Sequence, residues 1–184
     1  MAEKEMTRNF IVNLVMLIEG DVILRPLKDE DKVVMAALAN NKRVADNLRD
    51  AFPHPYEESH AEFYINFSKN SDPLVNLAIQ YKGQFCGAIG LVKQEDVYRN
   101  TAEIGYWVGE PFWNKGIAST AVKLMTEYGF NELGLIRIHT GIFEYNVASM
   151  RVLEKNGYEK EGVFKRSVFK NGQIWDEHRY AKWR

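Results

Sequence analysis

Residues Ala102–Val122 read AEIGYWVGEPFWNKGIASTAV, and the two ends of this stretch obey different periods. Thr101–Val108 alternates as a strand does. From Ile117 to Leu133 the apolar residues Ile117, Ala121, Leu124, Met125 and Tyr128 share one helical face, with Gly134 placed to stop the helix. The turn between them, Glu110–Ser119, therefore joins a strand to a helix N-terminus. Such a unit gathers unpaired backbone N–H groups and the positive end of a helix dipole at one spot, which suits a phosphate. Gly116 permits a close backbone approach, Ala118 stays small, Ser119 adds a hydroxyl, and Lys115 and Lys123 bring cations. A glycine in an ordinary strand-to-helix turn has the same spacing, so this signal alone is weak. The turn lacks GxxxxGK[ST], and no GxGxxG follows a strand, which disfavours P-loop and Rossmann readings.

Upstream, Val22–Leu27 reads as a first strand and Lys28–Leu38 as an amphipathic helix, with Asp29, Glu30 and Asp31 near the start where the dipole favours them. Asn47–Tyr56 (NLRDAFPHPY) holds two prolines and reads as a loop, followed by a helix over Glu57–Phe67. Leu74–Tyr81, a Lys82-Gly83 turn and Gln84–Val92 form a hairpin. Downstream come a strand at Ile136–Ile142, a helix at Val147–Asn156 ended by Gly157, a strand at Tyr158–Lys165, a Lys170-Asn171-Gly172 turn and a last strand at Ile174–Trp183. The order β-α-α-β-β-β-α-β-α-β-β predicts one α+β, or mixed α/β, domain.

The 184 residues suit a single core, and 46% hydrophobic, 12% aromatic and 27% charged residues exclude a disordered chain. A net charge of −1 argues against a general nucleic-acid binder. Residues 1–111 carry net −5 and residues 112–184 net +4, an imbalance within roughly the scatter of random placement that points an anionic ligand toward the C-terminal half. Cys86 is the lone cysteine, so an intramolecular disulfide and a Cys-rich metal site are excluded. The four histidines, His54, His60, His139 and His178, lack metal-ligand spacing, so no metal is expected. Phe10–Ile18 (FIVNLVMLI) is too short to span a bilayer and lacks a small-residue cleavage site, so it reads as an extension packing on the domain.

The words Ala102–Val122 and NVASMRVLEKNGYEKEG (Asn146–Gly162) together resemble the GCN5-related N-acetyltransferase (GNAT) superfamily. They are most similar to its ribosomal-protein N-terminal, RimJ/RimL-type, acetyltransferases. The resemblance spans about residues 22–183. It implies a GNAT-type fold, a central mostly antiparallel twisted sheet flanked by helices, over residues 22–184, with residues 1–21 as an N-terminal extension. It implies direct transfer of the acetyl group of acetyl-CoA to a primary amine in a ternary complex. The acceptor is a protein N-terminus or a small molecule; a non-catalytic acyl-CoA sensor on the same fold is the alternative. The expected location is cytoplasmic, with no nucleic-acid or membrane partner, and a homodimer is left open. Direct transfer needs no enzyme nucleophile, in keeping with the absence of GxSxG and with Cys86 lying in the apolar run FCGAIGLV.

Carried onto this chain, the resemblance implies pyrophosphate binding by the amides of Asn114, Lys115, Gly116, Ile117 and Ala118, with Ser119 assisting. Many members start this turn with Gln or Arg; here Trp113 stands in that place. Tyr106, Trp107 and Val108 are expected along the pantetheine, the Val108 amide polarising the thioester carbonyl. Asn146 is expected to hold pantetheine and also reads as a plain helix N-cap. Ser149 is expected near the sulfur as stabiliser or relay. Arg151 and Lys155 read as surface cations within reach of the adenosine phosphates. Glu103 is the candidate general base. The acceptor pocket is expected from the Asn47–Tyr56 loop, through Asn47, Arg49, Phe52, His54 and Tyr56, and from the hairpin Arg166–Glu177. The subgroup's glutamate base in that hairpin is replaced by Val168, with Asp176 or Glu177 as possible substitutes.

Overall fold

The computed structural model describes residues 15–71 and 73–184. Most of the Phe10–Ile18 stretch lies outside the described residues. The elements are β1 (Leu17–Glu19), β2 (Val22–Arg25), α1 (Asp31–Ala39), α2 (Lys42–Ala45), α3 (Glu58–Lys69), β3 (Asn76–Tyr81), β4 (Gln84–Lys93), β5 (Thr101–Val108), α4 (Ile117–Asn131), β6 (Arg137–Phe143), α5 (Val147–Lys155), β7 (Glu159–Lys170) and β8 (Gln173–Trp183).

Eight strands form one sheet in the order β1-β2-β3-β4-β5-β6-β8-β7. Every pairing is antiparallel except β5 with β6. That parallel pair is short: only Thr101↔Arg137, Ala102↔Ile138 and Glu103↔His139 are in register. Beyond Glu103 the two strands part, so one edge of Ile104–Val108 faces no strand.

Alternation sends apolar side chains to both faces of the sheet. On one face Leu77, Ile79, Ile89, Ile104 and Ile138 pack with Ile117, Ala121, Met125 and Leu153 of α4 and α5. On the other, Ala78, Phe85 and Trp107 pack with Met35, Ala39, Ala61 and Ile65 of α1 and α3. Ile104, Met125 and Ile138 are each at most 1% exposed. Each such side chain contributes about 1.5–3 kcal/mol. Packing on α4 thus bridges β5 and β6 where hydrogen bonds no longer do.

Several boundaries differ from the sequence expectation for identifiable reasons. Leu17–Glu19 turns back on β2 as a short hairpin through Gly20, whose φ is +57°. The first long helix starts at Asp31, because Asp31 ties this corner together: Arg25 donates to both its carboxylate oxygens (2.8 and 2.7 Å) and the Lys28 N–H to Oδ2 (2.9 Å). The one-turn helix α2, capped by the Asn41 side chain on the Arg43 N–H (2.8 Å), was not anticipated. β7 continues past Lys165 instead of ending there. It kinks at Arg166, with φ +54°, and Asp176 of β8 holds the kink by accepting from the Arg166 N–H (2.8 Å) and from Lys165 Nζ (2.7 Å).

Candidate active site

The observed β5 and the start of α4 coincide with the sequence reading, and the turn between them has the conformation an anion cradle needs. Asn114 and Gly116 both adopt left-handed backbone, φ +60° and +77°, which turns successive N–H groups toward one side ahead of α4. Ser119, in the first turn of α4, accepts at its hydroxyl from Asn156 Nδ2 (3.2 Å), leaving its own O–H free to donate. That bond and a second from Asn156 Nδ2 to the Ser119 carbonyl (3.1 Å) tie the start of α4 to the end of α5. The two lysines beside the turn make contacts of their own. Lys115 Nζ donates to the Pro111 carbonyl (3.0 Å), and Lys123 pairs with Glu19 at 2.5 Å. Arg151 and Lys155 are exposed on α5. What the turn itself presents ahead of α4 is therefore backbone N–H groups more than side-chain cations.

Trp113 has a definite task. Its indole N–H donates to the Val108 carbonyl at 2.6 Å, fastening the turn to the end of β5. The Gly109 N–H donates to Cys86 on β4 (2.8 Å). By alternation the Val108 N–H, and with it that of Tyr106, points to the opposite edge, into the gap beside β6.

Across the gap, Asn146 caps α5, its side-chain oxygen accepting from the Ser149 N–H at 3.2 Å. The Tyr106 hydroxyl donates to the Ser149 carbonyl (3.4 Å), and burial pushes that phenol up to about 12. Tyr106 of β5 thus meets α5 at Ser149, beside the cap at Asn146. Trp107 points to the opposite face, packed edge-on to Phe52 with ring centroids 5.8 Å apart, and its backbone pairs with Ala88 of β4, so it stands apart from the gap beside β6.

Glu103 stands on that opposite face at the last paired rung, opposite His139, and forms an ion pair with Arg49 from the loop after α2. Burial holds the His139 imidazole below its ordinary range; Glu103 and Glu161 act against this, and Arg179 and Arg137 act with it. Of the loop residues expected at the acceptor, Arg49 and Asn47 border pockets while Phe52 backs Trp107. His54 is exposed to solvent. Tyr56 is instead a core residue, 6% exposed with its hydroxyl 3.9 Å from Met35 Sδ.

In the final hairpin, Asp176 is occupied by the β7 kink, and Lys165 and the Arg166 N–H hold its carboxyl below the usual range. Glu177 lies over Gly141, bonded to Arg179 at 2.9 Å, and borders a pocket of about 220 Å³ together with Val168 and Arg49. A second pocket, of about 400 Å³, lies at the ends of the parted strands and is bordered by Arg43, Asp46, Asn47, Trp113, Tyr145, Asn171 and Trp175. Tyr145 and Trp175 were not singled out from sequence. The available signals were weak: Tyr145 directly precedes Asn146, and Trp175 has the parity of Glu177 on β8. Cys86 is buried, its Sγ donating to the Ile79 carbonyl at 3.3 Å, and burial pushes its thiol up to about 12, in keeping with a core role. No cluster of His, Cys, Asp and Glu suited to a metal occurs among the described residues. Nor is any helix among them long and apolar enough to cross a membrane.

The acetyltransferase (GNAT) domain model matches residues 21–159. The chain belongs to this family. It is 43% identical over 93 residues to the "Probable N-acetyltransferase YjcK" of Bacillus subtilis, a match covering 49% of this chain and 51% of YjcK. It therefore spans about half the length of that relative. It is 35% identical over 127 residues to the "Uncharacterized N-acetyltransferase YnaD" of the same organism, covering 68% of this chain and 74% of YnaD. Among solved structures, RimJ of Mycobacterium smegmatis in complex with CoA-disulfide superposes with a TM-score of 0.77 at 22% identity, covering 88% of this chain and 81% of RimJ. That likeness establishes the GNAT fold, and acetyl-CoA is the cosubstrate of the family.

Proposed function

We propose that the protein is an acetyl-CoA-dependent N-acetyltransferase that modifies a primary amine by direct transfer. The observation that carries this reading is the parting of β5 from β6 after a single three-residue register, with an amide-rich turn following β5 and a capped helix following β6. A gap of that kind offers the Tyr106 and Val108 N–H groups to an extended, amide-containing chain. Amides of Asn114–Ala118 and the Ser119 hydroxyl would hold the pyrophosphate, and Asn146 the pantetheine.

In the transfer, the amine nitrogen forms a bond to the thioester carbonyl carbon while the C–S bond breaks and the amine loses a proton. The Val108 N–H would stabilise the negative charge that develops on the carbonyl oxygen. Ser149, in the first turn of α5, would donate to the departing sulfur. Glu103 is the candidate acceptor of the amine proton, directly or through water, once the exposed Arg49 side chain swings aside. The demand on it depends on the acceptor: an α-amine costs about 1 kcal/mol to neutralise at pH 7, a lysine amine about 4.6. The half-buried Glu103, already paired with Arg49, suits the smaller task and favours α-amine-like acceptors.

The test is thiol release from acetyl-CoA against N-terminal peptides and small amines. Turnover on at least one acceptor is expected, with Glu103→Gln lowering kcat at least tenfold and leaving CoA affinity intact. Full activity of Glu103→Gln across pH removes Glu103 from the mechanism. Absence of CoA binding overturns the whole reading.

A further inference from the structure

The 400 Å³ pocket at the mouth of the cleft is walled by three aromatic rings and holds no unpaired charge. Each ring is fixed by its polar handle. The Trp113 indole N–H donates to the Val108 carbonyl (2.6 Å), the Tyr145 hydroxyl to the Asp46 carbonyl (2.5 Å) and the Trp175 indole N–H to the Lys170 carbonyl (3.3 Å). Their donors being turned away into backbone, the rings offer carbon surface. Tyr145 and Trp175 also stack edge to face with centroids 4.9 Å apart.

The charges at the rim are already matched. The Arg43 guanidinium sits 5.1 Å from the Trp113 ring centroid and pairs with Glu110. It therefore occupies the place a ligand cation would take over that ring. Asp46 is bonded to Lys42 (2.7 Å) and to Asn171 Nδ2 (2.8 Å). Burial raises its carboxyl, but these two partners outweigh that and hold it below the usual range. A polyamine's second ammonium thus finds neither a free carboxylate nor a free ring face beside Trp113. A neutral planar group finds rigid, preorganised walls and loses little entropy on entering.

Position connects this pocket to the reaction. Trp113 and Tyr145 follow the ends of β5 and β6, the two strands whose parting forms the cleft, and Trp175 shares a sheet face with Glu177 and Glu103. A group seated between the rings lies beside the Val108 end of the cleft.

We propose that this pocket selects acceptors carrying an aromatic group next to the primary amine, such as an aromatic α-amine or aralkylamine. The proposal rests on the N-acetyltransferase reading above, yet the pocket can be tested without turnover. The probes are phenethylamine, phenylalanine amide, butylamine, glycinamide and spermidine, in the full chain with CoA bound. Calorimetry is expected to show saturable binding of the two aromatic amines, at least tenfold tighter than butylamine, glycinamide and spermidine. With acetyl-CoA, kcat/KM should follow the same order. Trp175→Ala should reduce the aromatic-to-aliphatic ratio at least tenfold without changing CoA affinity, and Trp175→Phe should restore most of it. Equal binding of aromatic and aliphatic amines, a preference for spermidine, or an unaltered ratio in Trp175→Ala overturns the proposal. Aromatic binding that depends on Trp175 with no turnover of any amine instead overturns the catalytic reading and leaves the pocket as a ligand site.

Discussion

Gly116 and Trp113 show how single residues set the cleft. A Cβ added at Gly116 meets nothing within 4 Å, so crowding by the protein does not explain the glycine. The constraint is its φ of +77°, which costs an L-residue about 1–2 kcal/mol and more for a β-branched one. Gly116→Val is therefore expected to lower Tm by roughly 2–8 °C and to weaken CoA binding, because relief of the strain rotates the amides at the start of α4. Thermal melts with and without CoA check both parts; a variant with unchanged CoA affinity would show that the turn does not hold the pyrophosphate. Trp113 replaces a polar residue common in the superfamily, yet it holds the turn to β5 through the Val108 carbonyl. Its identity was legible in the sequence, but its task was not, because a hydrogen bond from an indole to a carbonyl five residues back leaves no periodic trace.

Among the elements, α5 combines two roles in one residue. Asn146 is the N-cap, which alone is worth about 1 kcal/mol, and it is the residue we propose to hold pantetheine. Substitution separates the two. Asn146→Asp keeps a capping oxygen but loses the amide donor and adds a charge, so it should melt within about 1 °C of the parent while binding CoA at least tenfold more weakly. Asn146→Ala should lose both stability and affinity. Normal CoA affinity in Asn146→Asp, measured by calorimetry, would reduce Asn146 to a cap. The strand Thr101–Val108 and the start of α4 at Ile117 were readable because period-two alternation gives way to helical spacing across a glycine turn. α2 was not, since four residues, Lys42–Ala45, are too few to express a period. The kink in β7 was hidden likewise, because Arg166 is held in left-handed backbone by Asp176, ten residues away on the neighbouring strand.

Over the whole molecule, the sheet carries a charged band across β5, β6, β8 and β7: Arg49–Glu103, His139, Arg137–Glu161 and Arg179–Glu177. None of these pairings was visible in sequence, where Arg49 and Glu103 stand 54 residues apart. They give stability a defined pH dependence. Burial keeps folded His139 neutral below its ordinary value of 6.5. As pH falls through 6.5 the unfolded chain takes up this proton first, so the stabilisation present at neutral pH is lost toward the lower folded value. Urea unfolding between pH 7.5 and 5.5 should show a falling midpoint that is shallower in His139→Gln. An identical slope in that variant would assign the effect to other groups.

The parting of β5 from β6 cuts the ladder at the centre of the sheet to three rungs, with the Tyr106 and Val108 N–H groups left facing the gap. An extended ligand lying there would act as the absent rung, completing the structure as well as undergoing reaction. Folding and cofactor supply are then linked by mass action: at a hundred times its dissociation constant a ligand that binds only the native state adds about 2.7 kcal/mol. The protein's resistance to unfolding, and with it its lifetime against proteolysis, would rise and fall with the local acetyl-CoA pool.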